Sequence, residues 1–131
     1  MVNAAKLGGS ALIMDIGMPV IASPKFLDKL KNNALNFENY KPLKKNDGIF
    51  KLMEGSLSAN WSFEWSKINV PTLVMTGHLD KMFRVPEDIE ELVKKIKNSR
   101  IIALPYCYHL IPLEEPEEFS DYIINFANNL N

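Results

Sequence analysis

Hydrophobic positions along this chain fall into two patterns. Three short runs are apolar with no polar alternation: Ala11-Leu12-Ile13-Met14-Asp15-Ile16, Thr72-Leu73-Val74-Met75-Thr76 and Arg100-Ile101-Ile102-Ala103-Leu104. Such runs suit strands of a parallel sheet covered on both faces. Elsewhere the apolar residues recur at helical spacing. Ile89, Leu92, Val93 and Ile96 fall at i, i+3, i+4 and i+7, which predicts a helix from Pro86 to about Lys97. Pro86 suits the first helical position, and Glu87 and Asp88 suit the positive end of the dipole. Lys94, Lys95 and Lys97 suit the negative end, with Glu90–Lys94 and Glu91–Lys95 as i,i+4 pairs. Phe119, Tyr122, Ile123 and Phe126 predict a second helix from near Pro116 towards Asn129. A third begins at Ser23-Pro24, with Ser23 as N-cap and Phe26, Leu27 and Leu30 on one face.

From about Glu38 to Lys67 the periodicity is poor, and short helices and loops are expected there. This lid-like insert, 38–67, holds Trp61 and Trp65 together with Phe50, Met53, Leu57 and Phe63. The element order is then strand, helix, insert, strand, helix, strand, helix. Strands separated by helices imply an α/β domain: about three parallel strands flanked by helices in three layers. With 131 residues the chain is the size of one domain, so a single domain over 1–131 is expected.

Composition narrows the function classes. The net charge is −1, from 15 basic and 16 acidic side chains, which argues against nucleic-acid binding. Apolar runs reach about six residues, short of a membrane span, and the first residues carry no signal-peptide pattern. One cysteine, Cys107, excludes an internal disulfide and a cysteine zinc cluster. The expectation is a soluble cytoplasmic protein with no nucleic-acid or membrane partner, no metal and no cofactor. The 13 Lys against 2 Arg, with 13 Asn and 12 Ile, reflect AT-rich codons before chemistry.

In parallel sheets, ligands bind beyond the carboxyl ends of the strands. Thr76-Gly77-His78-Leu79-Asp80 follows the second apolar run, and Pro105-Tyr106-Cys107-Tyr108-His109 follows the third. Asp80 and His109 therefore leave the same sheet edge, 29 residues apart, as one strand–helix–strand unit allows. A carboxylate behind a histidine is two-thirds of a hydrolytic triad, fixing the imidazole tautomer while the ring takes a proton from a nucleophile.

These segments resemble the α/β-hydrolase fold superfamily, in its C-terminal portion. Ile68-Asn69-Val70-Pro71-Thr72-Leu73-Val74-Met75-Thr76-Gly77-His78-Leu79-Asp80 is similar to the family's V-P-T-L-V strand and G-x-x-D acid turn. His109 to Phe119 is similar to its histidine segment, where an acidic residue and P-E-x-F follow the histidine. Leu12 to Gly17 is similar to the strand before its lid. The resemblance implies Asp80 as triad acid and His109 as triad base in hydrolysis of an ester or similar acyl bond. No nucleophile is implied. G-x-S-x-G is absent, and Gly8-Gly9-Ser10-Ala11, the nearest text, lacks the second glycine and leads into a strand. Tyr108 stands where the family usually has a small residue. The expectation is a hydrolase truncated at its front, with acid and base but not the serine. The alternative is an inactive fragment that folds and self-associates. An open strand edge at 11–16 would pair with a second copy or with an N-terminal hydrolase half.

The other chemistry-bearing residues read more plainly. His78 is a loop residue, because no second metal ligand stands at helical or hairpin spacing. Cys107 is a small buried residue. Glu114, Glu115, Glu117 and Glu118 favour a helix N-terminus. Trp61, Phe63 and Trp65 fill the core or the lid. A rival resemblance, to receiver domains, rests on Leu12-Ile13-Met14-Asp15-Ile16-Gly17-Met18-Pro19 with Asp15 as phospho-acceptor. No acidic pair precedes Asp15, and its 61-residue separation from Thr76 is about twice one strand–helix–strand unit.

Overall fold

The computed structural model describes residues 2–30, 36–60, 62–80 and 86–130. Eight principal elements follow one another. They are α1 (Val2–Ile21), α2 (Pro24–Leu30), α3 (Gly48–Ser58), β1 (Thr72–Gly77), α4 (Pro86–Val93), β2 (Ser99–Leu104), α5 (Ile111–Glu114) and α6 (Pro116–Asn128). Two 3-10 turns, Phe37–Asn39 and Trp65–Lys67, flank α3. The fold is mixed α/β. The chain divides into two compact units, Met1–Pro19 with Leu27–Ser62, and Val20–Phe26 with Phe63–Asn131.

The second unit holds the sheet. β1 and β2 pair in parallel, from Thr72 opposite Ser99 to Gly77 opposite Leu104. Both are the runs expected from sequence. Helix α4 joins them and packs against both. Met75 and Ile102 are register partners, and both pack with Phe119 of α6 against buried Leu104, Cys107 and Ile111. That cluster sits under the C-terminal ends of the strands. Coverage is thinner than the apolar runs implied, because most strand residues are only half-buried.

Helix ends follow local hydrogen bonding. α4 ends at Val93, four residues before the expected Lys97. Lys95 and Ile96 donate their N–H groups to carbonyls three residues back, so the helix tightens and stops. Ser99 Oγ donates to the carbonyls of Val93 and Ile96, at 3.0 and 2.8 Å, which closes this end. The close ion pair is Glu91–Lys94 at i,i+3, while the expected i,i+4 partners, Glu90 for Lys94 and Lys95 for Glu91, act on it at longer range. On the predicted face of α6, Phe119, Tyr122 and Phe126 are half-buried, while Ile123 is exposed. At α2, Ser23 Oγ accepts the Phe26 N–H at 3.2 Å, the cap expected there.

The first apolar run departs from expectation. Ala11–Ile16 lies inside α1 and is helical, so the described sheet has two strands where three were expected. A short apolar run does not by itself separate a strand from a helix. Here Ala11, Leu12 and Met14 are good helix formers, and the helix that holds them runs on to Ile21. The strand edge expected at 11–16 is therefore not formed. Asp15, the receiver-type candidate, sits on this helix and accepts the Tyr40 hydroxyl at 2.7 Å, rather than standing at a strand end.

By length and composition α1 is the one described helix of membrane-spanning size. Its helical geometry breaks at Gly9, with φ 66° and ψ −153°. A Cβ at Gly9 would stand 1.9 Å from the Lys41 carbonyl oxygen, so both the left-handed backbone and the close approach require glycine. Leu43 N–H donates to the Ala5 carbonyl at 2.9 Å, satisfying a group that an unbroken helix would have used internally. In the lid-like stretch, Phe50 is buried, the Phe63 and Trp65 rings meet tilted at 54° with centroids 5.3 Å apart, and Trp61 falls outside the described residues.

Candidate functional site

Two tight turns build the site at the C-terminal ends of the strands. After β1, the Asp80 N–H donates to the Gly77 carbonyl at 3.1 Å. After β2, the Cys107 N–H donates to the Leu104 carbonyl at 3.4 Å, with Pro105 fixing φ at the second position of the turn. Two further bonds tie the turns together: His78 N–H to Leu104 O at 2.8 Å, and Leu79 N–H to Cys107 O at 3.0 Å. Such approach needs glycine at position 77. A Cβ there would meet the carbonyl oxygens of Tyr108 and Cys107 at 2.0 and 2.5 Å.

The result is contact between Asp80 and His109. Asp80 Oδ2 lies 2.8 Å from His109 Nδ1. The Asp80 side chain is 10% exposed and that of His109 37%, so a sheltered carboxylate holds a ring that reaches solvent. A carboxylate only accepts, so the shared hydrogen sits on Nδ1 and the neutral ring carries its lone pair on Nε2.

The histidine's main chain is held separately. Its N–H donates to the Ile21 carbonyl at 3.0 Å. The carboxylate of Glu114 is buried, unlike a charge that merely favours a helix N-terminus. Its Oε1 accepts the Ser23 N–H at 3.0 Å and its Oε2 accepts the Tyr108 N–H at 3.3 Å. Its five-residue distance from His109 was visible, but nothing in the sequence separated it from its glutamate neighbours. Glu115 pairs at the surface with Lys25, at 3.4 Å, and Glu117 and Glu118 lie in the first turn of α6.

Cys107 is 1% exposed, and burial with the nearby Glu114 charge pushes its thiol up to about 11. It is protonated at neutral pH and unsuited to nucleophilic attack. Tyr108 is half-buried beside His109 and does not prevent the His109–Asp80 contact. His78 is exposed in its turn, and no cluster of three metal-ligating side chains occurs among the described residues. Ser10 lies within α1, not at a strand-to-helix elbow.

No protein-family model and no curated protein matches the chain. Among solved structures, it is similar to a serine hydrolase involved in carbazole degradation, the CarC enzyme, at 19% identity with a TM-score of 0.61. The match covers 86% of this chain and 45% of that one, so the chain spans less than half the length of that enzyme. At this identity the likeness concerns fold, and the parallel strand–helix–strand unit with its flanking helices is a partial α/β-hydrolase-like fold.

Proposed function

We propose that the chain carries the acid and base of a Ser-His-Asp hydrolytic triad, with Asp80 as acid and His109 as base. The observation that supports this is the 2.8 Å contact between His109 Nδ1 and Asp80 Oδ2 at the carboxyl ends of two parallel strands. In this reading Nε2 takes the proton of a serine as it attacks an ester or similar acyl carbonyl. Asp80 keeps the ring in that tautomer and stabilises the imidazolium as it forms. The serine comes from outside these 131 residues, which contain no G-x-S-x-G. The solved serine hydrolase lends support through fold. The fold also fits a soluble protein, and a cytoplasmic location is part of the proposal.

Fluorophosphonate labelling read by intact mass tests this. The chain alone forms no stoichiometric adduct. Joined to a segment carrying the nucleophile, it supports labelling of that segment's serine, and His109→Ala or Asp80→Asn abolishes it. A His109-dependent adduct on the chain alone would place a nucleophile within it. Labelling of the completed assembly that survives His109→Ala would refute the acid–base role.

A second reading is a non-catalytic fragment that self-associates. It is favoured by the exposed Leu113, Ile123, Ile124 and Leu130 of the sheet-bearing unit. With 11–16 helical, any strand pairing moves to the outer edges of β1 and β2. Sedimentation at micromolar concentrations tests it: mass of the isolated chain that rises with concentration supports association with a second copy, and pairing with an N-terminal half shows only when that half is added.

A further inference from the structure

We infer that Glu114 is a positioning residue for His109, a latch that fixes the histidine loop against the segment Ile21–Ser23. The inference rests on the Asp80–His109 reading above and adds a residue to it. Three bonds join the two stretches of chain. Glu114 Oε1 takes the Ser23 N–H, its Oε2 takes the Tyr108 N–H, and the Ile21 carbonyl takes the His109 N–H. Two of the three therefore pass through one carboxylate, 7% exposed, which sits within α5.

A buried carboxylate is costly unless its oxygens are used, and here each oxygen has a backbone donor. The chemistry is specific to glutamate. Glutamine has the same shape but one acceptor oxygen, so its amide would turn an N–H towards the N–H of Ser23 or Tyr108. Aspartate is one methylene shorter and does not span both donors. The need for a latch follows from exposure. His109 has a partly solvated ring on a loop, and only a fixed main chain lets Asp80 hold that ring in one orientation. Tyr108 and His109 are the residues whose N–H groups this arrangement holds.

The test uses the whole chain. Glu114→Gln is compared with the wild type and with Glu117→Gln, an exposed glutamate of α6. Imidazole 15N shifts report the His109 tautomer, and amide hydrogen exchange reports the latch. In Glu114→Gln, His109 passes from the Nδ1–H tautomer to a mixture. Protection at Tyr108 and His109 falls by about tenfold or more, as loss of a charge-assisted hydrogen bond implies. Glu117→Gln changes neither. A folded Glu114→Gln with the wild-type His109 tautomer overturns the inference. If that variant does not fold, the wild type decides: Ser23, Tyr108 and His109 amides exchange as one protected set, and free exchange of Ser23 and Tyr108 overturns it. Asp80→Asn separates the two claims. If it leaves the tautomer unchanged, the acid–base reading fails, while the exchange of Ser23 and Tyr108 still judges the latch.

Discussion

Replacing Gly77 by alanine adds one methyl group where the two turns cross. The new Cβ would lie 2.0 Å from the Tyr108 carbonyl oxygen and 2.5 Å from that of Cys107. An ordinary contact of ~3.4 Å requires the 105–109 loop to retreat by about 1 Å or more. The obstructing atoms are main chain, so no side-chain rotation relieves them. Overpacking of this kind costs roughly 1–3 kcal/mol. Alanine recovers about 0.4–1 kcal/mol by restricting the unfolded chain. The net expectation is a loss of about 1.3 kcal/mol, roughly a ninefold change in the ratio of folded to unfolded protein. Urea titration followed by tryptophan fluorescence measures it, as a lower midpoint at unchanged slope. The retreating loop carries His109 away from Asp80, so the His109 tautomer becomes mixed in the same variant. A Gly77→Ala protein within about 0.5 kcal/mol of wild type, with the imidazole signature intact, would refute the crossing of the turns as described.

Leu104 is 1% exposed in the cluster beneath the site, so Leu104→Ala costs about 3 kcal/mol by urea titration. Ser23→Ala removes the hydroxyl that accepts the Phe26 N–H but keeps the backbone bond to Glu114; a loss of about 1 kcal/mol with an unchanged His109 tautomer is expected. Cys107, raised to about 11 by burial, resists iodoacetamide at pH 8 and reacts promptly in denaturant. Its folded value lies above the ordinary 9.0, so its stabilising contribution is full below that pH and is lost as pH climbs towards 11. Stability measured at pH 8, 9.5 and 11 should fall in that order.

The chemistry-bearing pair was more legible than the first third of the chain. Two apolar runs flanking an amphipathic helix admit few arrangements, and a parallel pair puts whatever follows each strand on one edge. Asp80 and His109 meet for that reason, and their separation along the chain was enough to expect it. Ala11–Ile16 carried the same local signal as β1 and β2, yet it is helical. What separates them is context: Thr72–Gly77 has a partner ladder at Ser99–Leu104, whereas Ala11–Ile16 has no strand partner among the described residues. Glu114 was illegible for a different reason. Four glutamates in five positions look alike as letters, and only the fold shows one turned inward onto two N–H groups.

The sheet-bearing unit is written in two stretches, Val20–Phe26 and Phe63–Asn131, and the bonds described above from Asp80, Ile21 and Glu114 to the histidine loop lie within them. Residues 27–62 belong to the other unit. In evolutionary terms the chain separates two texts that change at different rates. The turns after β1 and β2 tolerate almost no edits, because glycine, carboxylate and imidazole must all register. The intervening stretch answers to α1 instead, where Lys41, Tyr40 and Leu43 meet Gly9, Asp15 and Ala5; away from those contacts it can lengthen at little cost, because loop closure grows only logarithmically with length. Descendants of this chain can therefore diverge widely between 27 and 62 while the pair of turns is passed on intact.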